Sequence, residues 1–139
     1  MTIHAVGAVE HFAAKLRYEI DPADLASVRG KGARPLVIDV RNLASWKQGR
    51  IAGAVHIPGN ELEQRATEEI PRDADVIVYC WGPGCNGSTK AALLLSRLGY
   101  SVRELIGGYE YWAREGLQIE NESGRSRLPV DDLTAPAAG

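Results

Sequence analysis

Two patterns of apolar residues alternate along this chain of 139 residues. Short, β-branched apolar runs at 36–40, 54–57, 76–79 and 102–106 are typical of buried strands. Between them, apolar residues recur at helical spacing, as at 88–98, where one face carries Ala91, Leu94, Leu95 and Leu98. Strands that alternate with short helices predict an α/β three-layer domain with a mostly parallel sheet.

Helical spacing of apolar residues places a further helix at 5–20. Start and stop signals place others at 22–30, 42–48, 60–67 and 109–115. Asp21 followed by Pro22 is a start signal, and Asn42 can cap the short helix that ends before Gly49. Asn60 with Glu63 three residues later resembles a capping box. The sequence shows no internal repeat.

Three segments follow from this layout: an N-terminal helical extension at 1–20, a domain at 21–119 and a tail at 120–139. The extension carries an apolar stripe of Val9, Phe12, Leu16 and Ile20, which either covers a sheet face or mediates the formation of a homodimer. The tail is polar and then rich in Ala, Pro and Gly, so we expect it to be flexible.

The composition is that of an ordinary globular domain, with 45% hydrophobic and 24% charged residues. A net charge of -2 gives no broad basic field for nucleic acid or an anionic membrane. No apolar run approaches the roughly 20 residues of a membrane span. Two cysteines do not make a disulfide scaffold, so we expect a cytoplasmic location. The cysteines and three histidines lack zinc-ligand spacing, and we expect neither metal nor cofactor.

Cys80 is the residue that points to chemistry. It ends the strand-like run at 76–79 and precedes a glycine-rich stretch, after which a helix opens at Ser88. Backbone N–H groups and the positive end of the helix dipole at such a place lower the pKa of a thiol and favour the thiolate. Ligands of parallel sheets bind beyond the carboxyl ends of the strands, so we expect a site here. A buried cysteine that only packs is the less favoured reading.

The chain resembles the rhodanese (thiosulfate sulfurtransferase) superfamily, single-domain type, over about residues 22–119. The first matching segment is Asp39-Val40-Arg41 with Trp46 and the run 49–58, GRIAGAVHIP. The second is the strand, loop and helix around Cys80, and the third is the run 107–117, GGYEYWAREGL. The resemblance implies a central, mostly parallel five-stranded sheet flanked by helices, to which this chain adds the N-terminal helix.

The loop after the cysteine departs from the family pattern. Cys80 through Gly87 spans eight residues, which is two more than is usual in rhodaneses. Gly87 stands where the family usually has Arg, and a second cysteine, Cys85, lies inside the loop. Arg50 and Ala52 also replace the usual His and the frequent Pro of the first segment. The missing Arg removes one clamp for an anion.

The resemblance implies a sulfurtransferase in which Cys80 takes sulfane sulfur from thiosulfate or a persulfide, becomes a persulfide and passes the sulfur to a thiol or cyanide. Its substrates would be a small sulfur-containing anion and a thiol acceptor. Cys85 is a resolving thiol, the reactive cysteine itself or a loop residue without a catalytic function. The expected substrate-binding loop is Trp81, Gly82, Pro83, Gly84, Cys85, Asn86, Gly87 and Ser88, and the supporting residues are Asp39, Arg41 and Lys90.

Individual side chains at this site have competing interpretations. Asp39 and Arg41 are expected to have a structural role, either by pairing or by holding the loop through hydrogen bonds. Lys90 is more readily a structural or solvated charge than an anion ligand. Trp81 is expected at the rim of the pocket. Asn86 and Ser88 either donate hydrogen bonds or cap the helix, and the cap is the favoured interpretation. His56, Trp46 and Trp112 are expected to support the fold.

Two other functions compete with sulfur transfer. A cysteine phosphatase or arsenate reductase of the same fold is suggested by the long loop. The absence of an Arg at the end of the loop counts against it, because oxyanion chemistry relies on bidentate guanidinium contacts. A non-catalytic binding module is the third alternative, and the retained cysteine and glycine-rich loop count against that one.

Overall fold

The structure, a computed structural model, describes residues 3–136. The helices are α1 (Ile3–Tyr18), α2 (Pro22–Gly30), α3 (Leu43–Gln48), α4 (Leu62–Glu69), α5 (Gly87–Arg97) and α6 (Gly108–Arg114). The strands are β1 (Glu19–Ile20), β2 (Leu36–Asp39), β3 (Arg50–Ile51), β4 (Val55–His56), β5 (Asp75–Tyr79), β6 (Ser101–Leu105), β7 (Ile119–Asn121) and β8 (Gly124–Ser126). Within residues 3–136, no helix is both long and apolar enough to cross a membrane.

Five strands form the central sheet in the order β1-β6-β5-β2-β4, and every neighbouring pair is parallel. Side chains of the middle strand β5 alternate between two hydrophobic clusters. Val76 and Val78 pack with residues of α4 and α5, whereas Ile77 and Tyr79 pack with residues of α2 and α6. Helices therefore cover both faces of a five-stranded parallel sheet, which confirms the predicted three-layer architecture.

Helix starts follow the predicted caps at two of three places. The Asp21 side chain accepts a hydrogen bond from the amide of Asp24 at 2.8 Å, and Asn42 accepts one from the amide of Ser45 at 2.9 Å. The capping box expected at Asn60 is wrong. Residues 59–61 form a 3₁₀ turn, held by the amide of Glu61 on the carbonyl of Pro58, and α4 begins after it without a side-chain cap.

The N-terminal extension differs from the single helix expected for it. Helix α1 ends at Tyr18, and the chain continues as β1, which pairs with β6 and buries Ile20 at the edge of the sheet. Val9, Phe12 and Leu16 are exposed, so the expectation that this stripe covers a sheet face is wrong. Dimerisation through it stays a prediction. Residues 1–2 of the predicted extension lie outside the described residues.

The C-terminal segment also differs from the loose tail expected from residue 120. Strands β7 and β8 form a hairpin, and β7 pairs antiparallel with β3. Further on, the Asp131 side chain pairs with Arg114, and the Asp131 amide donates to the Arg114 carbonyl at 2.8 Å. Residues 121–130 are all exposed, so this part of the chain needs no apolar pattern. Its polar composition therefore resembles that of an unstructured tail. Residues 137–139 of the predicted tail lie outside the described chain.

Candidate active site

Cys80 lies directly after β5, at the carboxyl edge of the central sheet. The alternation along β5 turns its side chain toward the layer of α4 and α5, where it belongs to the same hydrophobic cluster as Val78. The residue is only 7% exposed, yet it borders a cavity of about 450 Å³. The other cavity residues are Glu19, Gly82, Pro83, Gly84, Cys85, Asn86, Ser88, Thr89, Glu104, Leu105, Ile106, Gly107 and Gly108. The placement expected for a reactive cysteine is therefore present.

The Cys80 sulfur is bonded to Cys85 as a disulfide, with a Cα–Cα distance of 6.4 Å. The two cysteines are separated by five positions, and a turn in which the Cys85 amide donates to the Gly82 carbonyl at 3.0 Å brings them together. The structure thus shows the oxidised form of a site that was expected as a thiolate. Of the three readings left open for Cys85, the resolving thiol is the one that this contact fits best.

The sulfur pair lies beside the first turn of α5. A Cβ atom added at Gly87 would lie 3.2 Å from the Cys80 Sγ and 3.6 Å from the Cys85 Sγ. The first distance is closer than an ordinary van der Waals contact and the second is an ordinary one, so the bare backbone of Gly87 leaves room for the Cys80 sulfur. The position at which the family usually has an Arg therefore lies beside the two sulfurs.

The Gly107–Gly108 pair fixes the backbone of the cysteine loop. Both glycines have positive φ, at 79° and 60°. The amide of Tyr109 donates to the Cys80 carbonyl at 3.0 Å, and the amide of Glu110 donates to the Trp81 carbonyl at 2.7 Å. A Cβ at Gly108 would lie 2.6 Å from the Cys80 carbonyl oxygen, so a side chain would push the cysteine segment away. The start of α6 thus positions Cys80 from outside its own loop.

Asp39 and Arg41 pair, which is one of the two structural roles considered for them, and the pair is buried. The guanidinium donates through Nε to Asp39 Oδ1 at 3.0 Å and through Nη2 to Oδ2 at 2.7 Å. The hydroxyl of Tyr79 donates to Asp39 at 2.7 Å and accepts from the amide of Ile51 at 3.2 Å. Burial, and then the charge of Asp39, raise the pKa of Tyr79 well above its ordinary value. This network ties β2 to β5 immediately before the cysteine.

Arg41 also lies against the faces of two aromatic rings. Its Cζ atom is 4.3 Å from the centroid of the Trp81 ring and 4.7 Å from that of Tyr109. The indole Nε1 of Trp81 donates to the Ser45 hydroxyl at 3.1 Å. Burial raises the pKa of Tyr109. Arg41 and Ser45 hold the Trp81 ring, which is not among the described residues that border the cavity, and its place at the rim stays a prediction.

The cavity is acidic, and the sequence did not reveal this. The hydroxyls of Ser88 and Thr89, in the first turn of α5, donate to one oxygen of Glu104 at 2.6 and 2.7 Å. Glu104 comes from β6, and Glu19 in β1 borders the same space with its carboxylate paired to Lys15 at 3.0 Å. The expectation that Ser88 and Asn86 cap α5 is wrong, because the Asn86 side chain makes no capping bond and Ser88 is turned to Glu104. Glu104 could have been placed near Cys80 only from the pairing of β6 with β5, in which Glu104 lies beside Val78.

No Lys or Arg is among the described residues that border this cavity. Lys90 is exposed on α5, and Arg50 lies with its Cζ 4.4 Å from the Trp46 ring, so neither reaches the cysteines. Arginines instead border a separate cavity of about 380 Å³, near the C-terminal hairpin. They are Arg29, Arg34, Arg125 and Arg127. The site at Cys80 therefore has acidic side chains and backbone amides near it, but no guanidinium clamp from the described chain.

His56 and Trp46 have the supporting roles expected of them. The His56 Nε2 donates to the Arg41 carbonyl at 2.7 Å, and its ring stacks on Trp46 with centroids 4.9 Å apart. Trp112 is buried in the cluster between α6 and the sheet. Over residues 3–136, no group of three or more His, Cys, Asp or Glu side chains is arranged to hold a metal ion.

The fold and the site together define a class: an α/β domain whose candidate nucleophile is a cysteine at the carboxyl edge of a parallel sheet. The chain belongs to the rhodanese-like domain family, whose model matches residues 21–115.

Proteins of known sequence and structure show the same likeness. A protein named sulfurtransferase from Allochromatium vinosum is 36% identical over 107 residues, which cover 76% of this chain and 97% of the relative. A protein named thiosulfate sulfurtransferase GlpE from Ectopseudomonas mendocina is 35% identical over 94 residues, covering 67% of this chain and 82% of that one. The crystal structure of the BH2092 protein from Bacillus halodurans matches with a TM-score of 0.79 and 38% identity, over 97% of this chain and 93% of that one.

Proposed function

We propose that this protein is a sulfurtransferase in which reduced Cys80 accepts sulfane sulfur, carries it as a persulfide and delivers it to a thiol or cyanide. The observation that carries the proposal is the position of Cys80, after the central strand and at a cavity of about 450 Å³. Membership of the rhodanese-like family and relatives named as sulfurtransferases support the same chemistry.

The surroundings of the sulfur suit a persulfide anion. The first turn of α5 lies beside Cys80, and the positive end of a helix dipole stabilises negative charge on sulfur. Glycine at position 87 leaves space beside the sulfur. The contacts from the amides of Tyr109 and Glu110 hold the strand end in place. The dipole of α5 is preorganised, so it stabilises charge without moving during the reaction.

The donor is better sought among persulfides than in thiosulfate. Thiosulfate carries two negative charges, and the cavity presents the carboxylate of Glu104 to it, whereas that of Glu19 is paired with Lys15. Rhodanese donors and the oxyanions of phosphatases or arsenate reductases both rely on cations for tight binding. The described residues around Cys80 supply none, so oxyanion transfer is not favoured as a second function.

Sulfur uptake tests the proposal directly. The reduced protein is incubated without oxygen with a persulfide donor or with thiosulfate, freed of the donor and examined by intact mass and by thiocyanate formation with cyanide. We expect wild type to react and Cys80→Ser to gain no sulfur. Cys85→Ser is the matched control, since it makes the same change five positions along the loop and should still take up sulfur. Uptake by Cys80→Ser, or its loss in Cys85→Ser alone, would refute the assignment.

A further inference from the structure

We infer that Cys85 is the internal acceptor for the sulfur carried by Cys80, and that the protein therefore reduces sulfane sulfur to hydrosulfide. In this reaction the Cys85 thiolate displaces the outer sulfur from the Cys80 persulfide and closes the disulfide seen in the structure. The inference rests on the proposed function, because it requires a persulfide on Cys80. It adds a second activity, in which the sulfur leaves as a small product instead of passing to an external acceptor.

The loop is built to bring the two sulfurs together. The turn from Gly82 to Cys85 is closed by a backbone hydrogen bond of 3.0 Å and folds Cys85 back over the end of β5. Cys85 packs against the same hydrophobic cluster that contains Cys80, and both border one cavity. Gly87 keeps the space beside both sulfurs open. The pairing of Cys85 with Cys80 thus explains both departures from the family pattern, the two added loop residues and the Gly in place of Arg.

The position of Cys85 selects which sulfur it attacks. Its Sγ reaches the Sγ of Cys80 itself, which is the inner sulfur of a persulfide. Attack there forms the Cys80–Cys85 bond and breaks the bond between the Cys80 Sγ and the outer sulfur. The outer sulfur leaves with the electron pair and is protonated to hydrosulfide. Two thiols are oxidised by two electrons, and the sulfane sulfur is reduced by the same two, so the closure step needs no external oxidant.

A dithiol must then reopen the disulfide. Cys85 is half-buried and Cys80 is buried, so a reducing thiolate reaches the Cys85 sulfur more readily, and Cys80 leaves as the thiolate needed for the next turnover. Over the full cycle, one persulfide and one dithiol give one thiol, one hydrogen sulfide and one disulfide. The carboxylate of Glu104 in the cavity favours departure of the hydrosulfide anion.

A single-turnover experiment in the absence of oxygen and of any reductant tests the inference. Fully reduced wild type, Cys85→Ser and Cys85→Ala are each mixed with one equivalent of glutathione persulfide. Hydrosulfide, titratable thiols and intact mass are followed with time. We expect wild type to release one equivalent of hydrosulfide, lose both thiols and retain no added sulfur. Both Cys85 variants should keep one added sulfur atom and release hydrosulfide at least about 100-fold more slowly, since an intramolecular thiol has a high effective concentration.

The possible failures are distinguishable. If wild type keeps the added sulfur, on either cysteine, with its second thiol still titratable, the internal-acceptor inference is overturned while sulfur uptake stands. Release from the Cys85 variants as fast as from wild type overturns it as well. If neither wild type nor the variants gain sulfur or release hydrosulfide, the proposed function fails, and the inference fails with it.

Discussion

Replacing Gly108 by Ala should damage the site from outside the cysteine loop. The added Cβ would lie 2.6 Å from the Cys80 carbonyl oxygen and 2.9 Å from the Trp81 carbonyl carbon. These are backbone atoms, so the overlap cannot be relieved by turning a side chain. Crowding of this kind costs about 1–3 kcal/mol, and an L-residue at positive φ costs about 1–2 kcal/mol more. We therefore expect the free energy of unfolding to fall by about 2–5 kcal/mol in total.

Gly32→Ala is the matched control. Gly32 also has a positive φ, of 94°, but a Cβ there would meet no atom within 4 Å. This variant should lose only the conformational part, about 1–2 kcal/mol. Urea unfolding of the reduced proteins measures both changes, provided that the dependence on urea concentration keeps the same slope.

Activity separates the two variants further. Since a displacement on the order of 1 Å near a reacting centre costs about 100-fold in rate, the smaller shift forced by Gly108→Ala should slow sulfur uptake on Cys80 about tenfold. Gly32→Ala should leave uptake unchanged. The reasoning is refuted if Gly108→Ala loses no more stability than Gly32→Ala and takes up sulfur at the wild-type rate.

Three further predictions test the buried network, the acidic cavity and a pH dependence. Tyr79→Phe should lower the free energy of unfolding by about 2–4 kcal/mol, because it removes a buried donor to Asp39 and leaves the amide of Ile51 without its acceptor. A loss below about 1 kcal/mol in urea would contradict this. Glu104→Gln should raise kcat/KM for thiosulfate about fivefold, less so in high salt, since it removes one repulsive charge from the cavity. Glu122→Gln, in the exposed hairpin, is the control, and an equal effect there would refute the local explanation. Burial, with the charge of Asp21, raises the pKa of Glu115 in the folded state. Above this folded-state pKa the ionised carboxylate lowers the free energy of unfolding, and the loss disappears once the pH falls below the pKa of Glu115 in the unfolded chain. Glu115→Gln should thus raise Tm at pH 7 but not at pH 3, and an equal rise at both would contradict the cause.

Local pattern in the sequence was enough to place most of the fold. The run at 76–79 is apolar and β-branched because β5 is buried on both faces, and its neighbours at 36–40 and 102–106 carry the same mark. The caps of α2 and α3 could be read for the same reason, since a cap is a contact between residues three positions apart. Where the chain makes an exposed hairpin after Ile119, the polar composition shows no apolar run that would indicate a strand, and the prediction of a loose tail was wrong.

The sequence by itself determined that a cysteine follows the central strand and precedes a helix, since periodicity and glycine placement act between close neighbours. Only the tertiary structure decided what surrounds that cysteine. Glu104 comes from another strand, the Gly108 turn approaches from α6, and the Cys80–Cys85 bond depends on how the loop closes. The first two contacts join residues that are distant in the chain, and the third depends on a loop conformation that packing sets. No local pattern of residues in the sequence reveals such contacts.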